Sequence, residues 1–288
     1  MVKDNNTAKG KIFIAYHKPF KMLKGDNIVP VHAGRACTKE RKGDKKNTAQ
    51  ELSILKEMVG DDTGETISHR NNEYSECSVL YWIWKNENIK NLDYVGFFQY
   101  RRQLILNSYF SKAKNNLEKR AYKCVHFKNI NKNFGRKIGL TEENILKILA
   151  TYDCIVPLST DLEALGISSI YEDWVRKIPG SHVGDLVELE KIMAELHPEL
   201  SQAFGDYLNS SKKLMYQIFI TTPKILEEYC DWLFNILFEI DKRIDTRLYS
   251  VNGKRTMGYI AEILYGFYFT YMKNILKIKE CGVTFIDE

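Results

Sequence analysis

The residues best suited to chemistry in this chain are arginines and carboxylates set at the edges of apolar runs. Tyr100-Arg101-Arg102 follows Tyr94-Val95-Gly96-Phe97-Phe98-Gln99. Each guanidinium carries a fixed charge and five donors, so the pair suits a phosphate-bearing ligand. A strand that simply ends in solvent with two basic residues is the alternative. His17 and Lys18 stand directly after residues 11–16, another apolar run, and read either as an exposed turn or as a contact to a nucleotide base or phosphate. Asp61 and Asp62 lie between Gly60 and Gly64. Such clusters make turns, but adjacent carboxylates near a substrate also offer hard oxygen ligands to magnesium or manganese. Glu76 borders an aromatic helical stripe, where a carboxylate is either exposed or held for chemistry. Asp185, three residues after His182, is either a helix cap or a general base.

The elements that must position these residues alternate between strand and helix. Residues 93–102 read as a strand buried on both faces, and in open α/β sheets ligands bind beyond the carboxyl ends of the strands. Residues 11–16 read as the first strand. Thr48-Ala49-Gln50-Glu51 is a capping box for a helix to about residue 58. Asn72 caps a helix that carries Tyr74, Cys77, Tyr81 and Trp84 on one face. Residues 107–140, basic and poorly periodic, read as a long excursion over the active face, with a short helix near 116–122. A helix capped by Thr141 and a short strand over 152–157 follow. The next helix has Leu186, Leu189, Ile192, Met193 and Leu196 as its core stripe and ends at His197-Pro198. A strand over 214–221 leads to Thr222-Pro223, which open a long helix. The last helix, 256–276, is aromatic-rich. It is interrupted by Glu262 and is shorter than the roughly 20 apolar residues of a membrane span. It packs on the core or, alternatively, meets a membrane surface through Lys273, Lys277 and Lys279.

At 288 residues the chain has enough length for one large α/β domain. Its charge of +5 is mild; it fits an anionic substrate or an acidic membrane surface and does not require nucleic acid. Six cysteines are scattered without a CxxC pair and six histidines are dispersed, which argues against a zinc site. With a polar start and no secretory signal, these features point to the reducing cytoplasm. There is no GxGxxG, no Walker loop and no internal repeat, which weakens dehydrogenase and ATPase readings.

Several segments together form a family pattern: strand-His17-Lys18, then Asp61-Asp62-Thr63-Gly64-Glu65-Thr66-Ile67-Ser68, then Asn71-x-x-Tyr74-x-Glu76-Cys77-x-x-x-Tyr81-Trp82-x-Trp84-Lys85-Asn86, then Tyr94-Val95-Gly96-Phe97-Phe98-Gln99-Tyr100-Arg101-Arg102. The chain resembles, from residue 11 to about 269, a bacterial domain-of-unknown-function family of capsular polysaccharide and lipopolysaccharide synthesis glycosyltransferases. The resemblance implies a single GT-A-like, Rossmann-like domain over 1–288. It would be α/β, with a mixed, mostly parallel sheet flanked by helices and a helical C-terminal part. Residues 11–160 would form the nucleotide-sugar half and residues 161–288 the acceptor-side half. The implied reaction moves a hexose, galactose or galactofuranose, from a UDP-sugar to a glycan or lipid-linked glycan at the inner face of the cell membrane.

Carried over by position, Asp61, Asp62, Glu76, Tyr81, Trp82, Tyr100, Arg101 and Arg102 match the family's shared motifs, His182 and Asp185 a His-x-x-Asp-Leu element, and Arg255, Gly258 and Glu262 an Arg-x-x-Gly-x-x-x-Glu element. His17, Lys18, Asp61, Asp62, Tyr81, Trp82, Tyr100, Arg101 and Arg102 are then expected at the donor, and His182, Gln217 and Arg255 at the acceptor. Asp185 is the first choice of base, followed by Glu262 and then Glu76. No Asp-x-Asp motif occurs, so the leaving diphosphate would be met by Arg101 or Arg102, or by manganese or magnesium on Asp61 and Asp62. The chain departs from the family at Gln99, where His is usual, at Tyr216-Gln217-Ile218-Phe219 in place of Tyr-Asn-Met-Phe, and at Ile263, where Arg tends to stand. Gln keeps hydrogen bonding but carries no proton at neutral pH. The departures leave open a non-catalytic nucleotide-sugar-binding or scaffold protein.

Overall fold

The computed structural model describes residues 9–37, 49–107, 124–177 and 182–287. Thr48 of the expected capping box and the helix expected near 116–122 lie outside the described residues.

Strands β1 (Gly10–Tyr16) and β4 (Tyr94–Gln99) form the parallel centre of the sheet, with Gly10 opposite Tyr94 and Ala15 opposite Gln99. Both are almost wholly apolar and buried on both faces, as parallel strands covered by helices on each side require. Strands β2 (Ile28–His32) and β3 (Val59–Gly60) extend the sheet in parallel beyond β1. Beyond β4 the direction reverses. There β10 (Phe219–Thr221) pairs antiparallel with both β4 and β7 (Cys154–Pro157).

Strand β11 (Ile278–Ile286) runs parallel to β7 along its first half. Its second half pairs antiparallel with β5 (Leu104–Ile105) and parallel with β6 (Cys124–Phe127). The order is β3-β2-β1-β4-β10-β7-β11-β5, with β6 also on β11, and β8 (Thr160–Asp161) pairs separately with β9 (Lys212–Lys213). The sheet is mixed and mostly parallel, as expected. Residues 161–288 are not only helical, because they supply β10 and β11 to the interior of the same sheet.

Ten helices are described: α1 (Ala49–Lys56), α2 (Asn71–Tyr74), α3 (Cys77–Asn86), α4 (Phe134–Lys137), α5 (Glu142–Leu149), α6 (Ile170–Lys177), α7 (Val183–Leu196), α8 (Pro198–Leu208), α9 (Pro223–Arg243) and α10 (Thr256–Met272). The caps follow sequence chemistry. Thr141 accepts from the Asn144 N–H and Thr222 from the Ile225 N–H, each satisfying an orphan donor of the first turn. His197-Pro198 does end α7, but Pro198 immediately opens α8, because proline is as suited to a first turn as it is hostile to a helix interior. Helix α10 packs into the core and ends at Met272. Among its expected interfacial lysines, Lys273 binds Glu280 at 2.7 Å and Lys279 lies 5.2 Å from the Tyr152 ring. Among the described residues no helix is long and apolar enough to cross a membrane.

This topology gathers separated segments at one edge. The carboxyl ends of β1, β2, β3, β4 and β7 open there, and reversed β10 brings its amino end, residues 216–218, to the same edge. Phe219 anchors that arrangement, its ring 6.1 Å from Phe97, 5.7 Å from Tyr229 and 5.7 Å from Phe269. Next to it, the Tyr265 hydroxyl donates to the Ile218 carbonyl at 2.8 Å. Phe219→Ala is expected to cost about 3–5 kcal/mol of unfolding free energy in urea denaturation.

Candidate active site

The centre of the carboxyl-end edge is Glu76, placed there by a break in what reads locally as one helix. Helix α2 stops at Tyr74, Ser75 takes φ +51° and ψ −135°, and α3 starts at Cys77. The Ser75 N–H donates to the Asn71 carbonyl at 2.8 Å, and the Asn71 side-chain amide donates to the Ser75 carbonyl at 2.5 Å and to Ser78 at 2.9 Å. The Arg255 Nε donates to the Ser75 hydroxyl at 3.1 Å. Helix α10 approaches so closely that a Cβ on Gly258 would lie 2.7 Å from the Ser75 Oγ, which explains the glycine. A non-glycine residue at positive φ costs about 1–3 kcal/mol and persists where its surroundings over-determine it.

Two further such residues face this one. Tyr216 has φ +77° and Gln217 φ +46°. The Gln99 Nε2 donates both to the Glu76 carboxylate and to the Tyr216 carbonyl, the latter at 2.7 Å. The Tyr216 N–H donates to Glu262 at 2.8 Å. Gln217, fully buried, accepts from the Cys77 thiol at 3.3 Å and donates to the Tyr229 hydroxyl at 3.2 Å. Glu76 is half-buried. Desolvation pushes its carboxyl above the ordinary range and Glu262 pushes the same way, while Arg255 and Arg102 oppose. A carboxyl raised in this way is suited to accept a proton.

The strand end delivers its basic residues unequally. A tight turn, with the Arg102 N–H on the Gln99 carbonyl at 3.0 Å, sets Tyr100 and Arg101 at the tip. Buried Gln103 braces it, donating to the Gln99 and Tyr100 carbonyls at 3.0 and 3.1 Å. Arg101 turns back to structure: its Nε donates to the Ile286 carbonyl at 2.8 Å and its guanidinium lies 4.3 Å from the Phe285 ring. Arg102 faces the cluster, 4.7 Å over the Tyr216 ring, with a buried Nε that has no hydrogen-bond partner. Tyr100 gathers the end of β1 around it, with His17 at 5.0 Å, Phe20 at 4.9 Å and Lys18 at 6.0 Å.

Other expected site residues go elsewhere. Asp61 is fully buried and accepts four donors: the Gly34 N–H at 2.8 Å, the Arg35 N–H at 3.0 Å, the Ser68 hydroxyl at 2.5 Å and the Ser78 hydroxyl at 2.7 Å. Gly34, at φ +66° and against Asn71, permits the turn that aims those amides. A carboxylate so saturated does not fit a metal pair with exposed Asp62, since binding a cation would strip donors from a buried charge. Among the described residues no group of three or more His, Cys, Asp or Glu is arranged to hold a metal ion. Tyr81 and Trp82 are core residues that brace the loop after Asp62, donating to Glu65 at 2.5 Å and to Thr63 at 3.0 Å.

Asp185, buried at the start of α7, accepts from the Tyr249 hydroxyl at 2.7 Å, and Tyr249 also lies 4.4 Å from the His182 ring. Burial raises the Asp185 carboxyl, but its contacts tie α7 to the loop before α10 and not to Glu76. The structure therefore brings together Glu76, Gln99, Arg102, Gln217, Arg255 and Glu262, with His17, Lys18 and Tyr100 alongside. It places the Asp61 and Asp185 groups outside that cluster, Asp185 keeping one buried carboxylate oxygen without a hydrogen-bond partner. Sequence reasoning missed Ser75, Gln103, Lys213 and Asp173. The first is a bend inside a good helical pattern. Gln103 is held by Thr284, 181 residues away, as well as by the turn it braces, and Lys213 and Asp173 are paired across 40 residues of chain. Asp61→Ala, measured by urea denaturation in EDTA, is expected to lower stability by about 3 kcal/mol or more. Unchanged stability would mean the carboxylate is not a structural acceptor.

A search of curated proteins gives no match. Among solved structures, the chain is similar to the apo structure of the WbbM bifunctional glycosyltransferase, with a TM-score of 0.81 and 30% identity over 97% of this chain. The chain spans 45% of the length of that protein. The profile described as a domain of unknown function, DUF4422, matches residues 11–274. By the extent of that match, together with the shared fold, the chain belongs to the DUF4422 family.

Proposed function

We propose that the chain is a nucleotide-sugar glycosyltransferase that moves a hexose, galactose or galactofuranose, from a UDP-sugar to a capsule, lipopolysaccharide or other surface glycan. The observation that carries this reading is one cluster at the carboxyl ends of the parallel strands. It combines a desolvated carboxylate with two arginines, and non-glycine residues at positive φ frame it. The similarity to the WbbM bifunctional glycosyltransferase supports it.

In this reading Glu76 takes the proton of the acceptor hydroxyl as its oxygen bonds to the anomeric carbon. The bond from that carbon to the β-phosphate oxygen breaks, and UDP leaves with the electron pair. Arg102, whose guanidinium lies 4.7 Å over the Tyr216 ring, offers charge and its terminal donors to the leaving diphosphate. The Tyr100 platform with His17 and Lys18 suits the base or the phosphates of the donor. Arg255, exposed and beside Ser75, faces the acceptor side. Glu76 thus displaces Asp185 as our choice of base, because Asp185 is engaged by Tyr249 outside the cluster. The acceptor is a glycan or lipid-linked glycan met in the cytoplasm at the inner face of the membrane.

The two departures that motivate a scaffold reading do not remove a reacting group. Ile263 is a core residue, 1% exposed, and Gln99 is the amide that holds Glu76.

Glu76→Gln is expected to reduce turnover of a UDP-sugar by about 100-fold or more while thermal stabilisation by UDP persists. Absence of a UDP effect in the wild-type chain would sink the reading itself. The carboxyl of Glu76 is raised, so the base is protonated at low pH. The rate should therefore rise with pH through a limb above the ordinary glutamate range, which a kcat profile against pH measures. Arg102→Met is expected to weaken UDP binding and turnover together. Activity lost in EDTA and restored by manganese would show that arginine does not act alone on the diphosphate.

A further inference from the structure

The strand pair behind the cluster holds a buried ammonium that the reaction above does not use. On β9 the side chains alternate. Lys212 is exposed and binds Asp161 of β8, whereas Lys213 turns inward with a side chain 8% exposed. Its Nζ lies 2.9 Å from Asp173 on α6 and 3.6 Å from Glu262 on α10. The Asp173 side chain is 3% exposed and that of Glu262 24%. A buried ion pair is weak evidence for stability, since apolar packing often does as well. What such a group supplies here is a fixed charge at a fixed place.

We propose that Lys213 is a positioning residue: it neutralises Glu262, so that Glu262 can hold the Tyr216–Gln217 bend and Glu76 can ionise beside it. The proposal rests on the reading in which Glu76 is the base. Mechanically the path is continuous. Lys213 holds Glu262, Glu262 accepts the Tyr216 N–H, and the Tyr216 carbonyl accepts the Gln99 amide that also donates to Glu76. Electrostatically, the charges facing Glu76 are Glu262 from α10, Arg255 from just before it and Arg102 from the end of β4, with the Cys77 thiol next in the chain. Glu262 is in turn faced by Lys213 from β9, with Asp173 behind it, and by the phenols of Tyr207, Tyr216 and Tyr265. Burial pulls the Lys213 ammonium down, and the two carboxylates more than offset it, so it stays charged. Without it, Glu262 becomes an uncompensated negative neighbour of Glu76 and raises its proton affinity.

The test is a set of full-length variants with opposite expected signs. In Lys213→Met the acid limb of kcat should move to higher pH by about half a unit or more, with turnover on that limb down about threefold or more and KM for the UDP-sugar changed less than threefold. In Asp173→Asn, where Lys213 serves Glu262 alone, the limb should move to lower pH. The double variant Lys213→Met with Glu262→Gln should return the limb to the wild-type position or below it, which a merely structural role for Lys213 would not produce. An unmoved limb in Lys213→Met, or a shift of the same sign in Asp173→Asn, overturns the proposal. If Lys213→Met does not fold, the sign in Asp173→Asn decides.

The titration of Glu76 can also be followed without turnover, by carboxyl 13C NMR with Glu76→Gln as the assignment control. A chain without UDP binding or activity would refute the proposed function, while the shift of the Glu76 resonance would still judge the coupling.

Discussion

The Gln99 side-chain nitrogen is shared between the Glu76 carboxylate and the Tyr216 carbonyl, and that single amide joins the three parts of the edge cluster. It ties β4, which carries the arginines, to the start of α3 and to the segment entering β10. Each of those attachments is made where the backbone is bent against its preference, at Ser75 on one side and at Tyr216 and Gln217 on the other. Three unfavourable conformations are kept because each is held from several directions. The Arg255 contact and the Asn71 hydrogen bonds secure the first, and Glu262, Gln99 and the buried contacts of Gln217 secure the second and third. A glutamine serves this purpose well because its NH2 group has two protons at every pH, whereas a neutral imidazole has one. Gln99 therefore keeps both of its donors at every pH, whatever the protonation of the carboxylate it holds.

What sequence could reveal tracks how local the cause is. Residues 94–99 are legible as a doubly buried strand because every residue but the last is apolar, and the arginines behind them are legible as a strand end. The caps at Thr141 and Thr222 are legible because the side chain and its target amide are three residues apart. The bend at Ser75 is not, since residues 71–86 satisfy a helical pattern throughout and the interruption is imposed by Arg255 and by the close approach at Gly258. Strand β11 is hidden for a related reason: its sequence mixes Lys279 and Glu280 with apolar residues, and its place is set by β7.

The carboxylates show the same limit in chemical form. Asp61 and Asp185 stand in promising local sequences, yet one is filled by four donors and the other is engaged by a tyrosine from a distant loop. Glu76 has a bland local context, and its raised proton affinity comes from burial and from residues far along the chain. Residue type and spacing identify groups able to do chemistry; only the packing around each decides which of them is left available.

The reversed strand β10 lies between β4 and β7, and β11 lies beyond β7. The middle of the sheet is thus closed by segments made long after β1 and β4, which gives the fold many contacts between distant parts of the chain. Such a topology is slow to form, because loop closure must precede any gain from pairing. Until residues 219–221 arrive, the apolar edge of β4 has no neighbour on that side, and a nascent or truncated chain ending before them would expose it to aggregation. The edge cluster cannot exist in such a fragment either, since Tyr216 and Glu262 are supplied from the same late region.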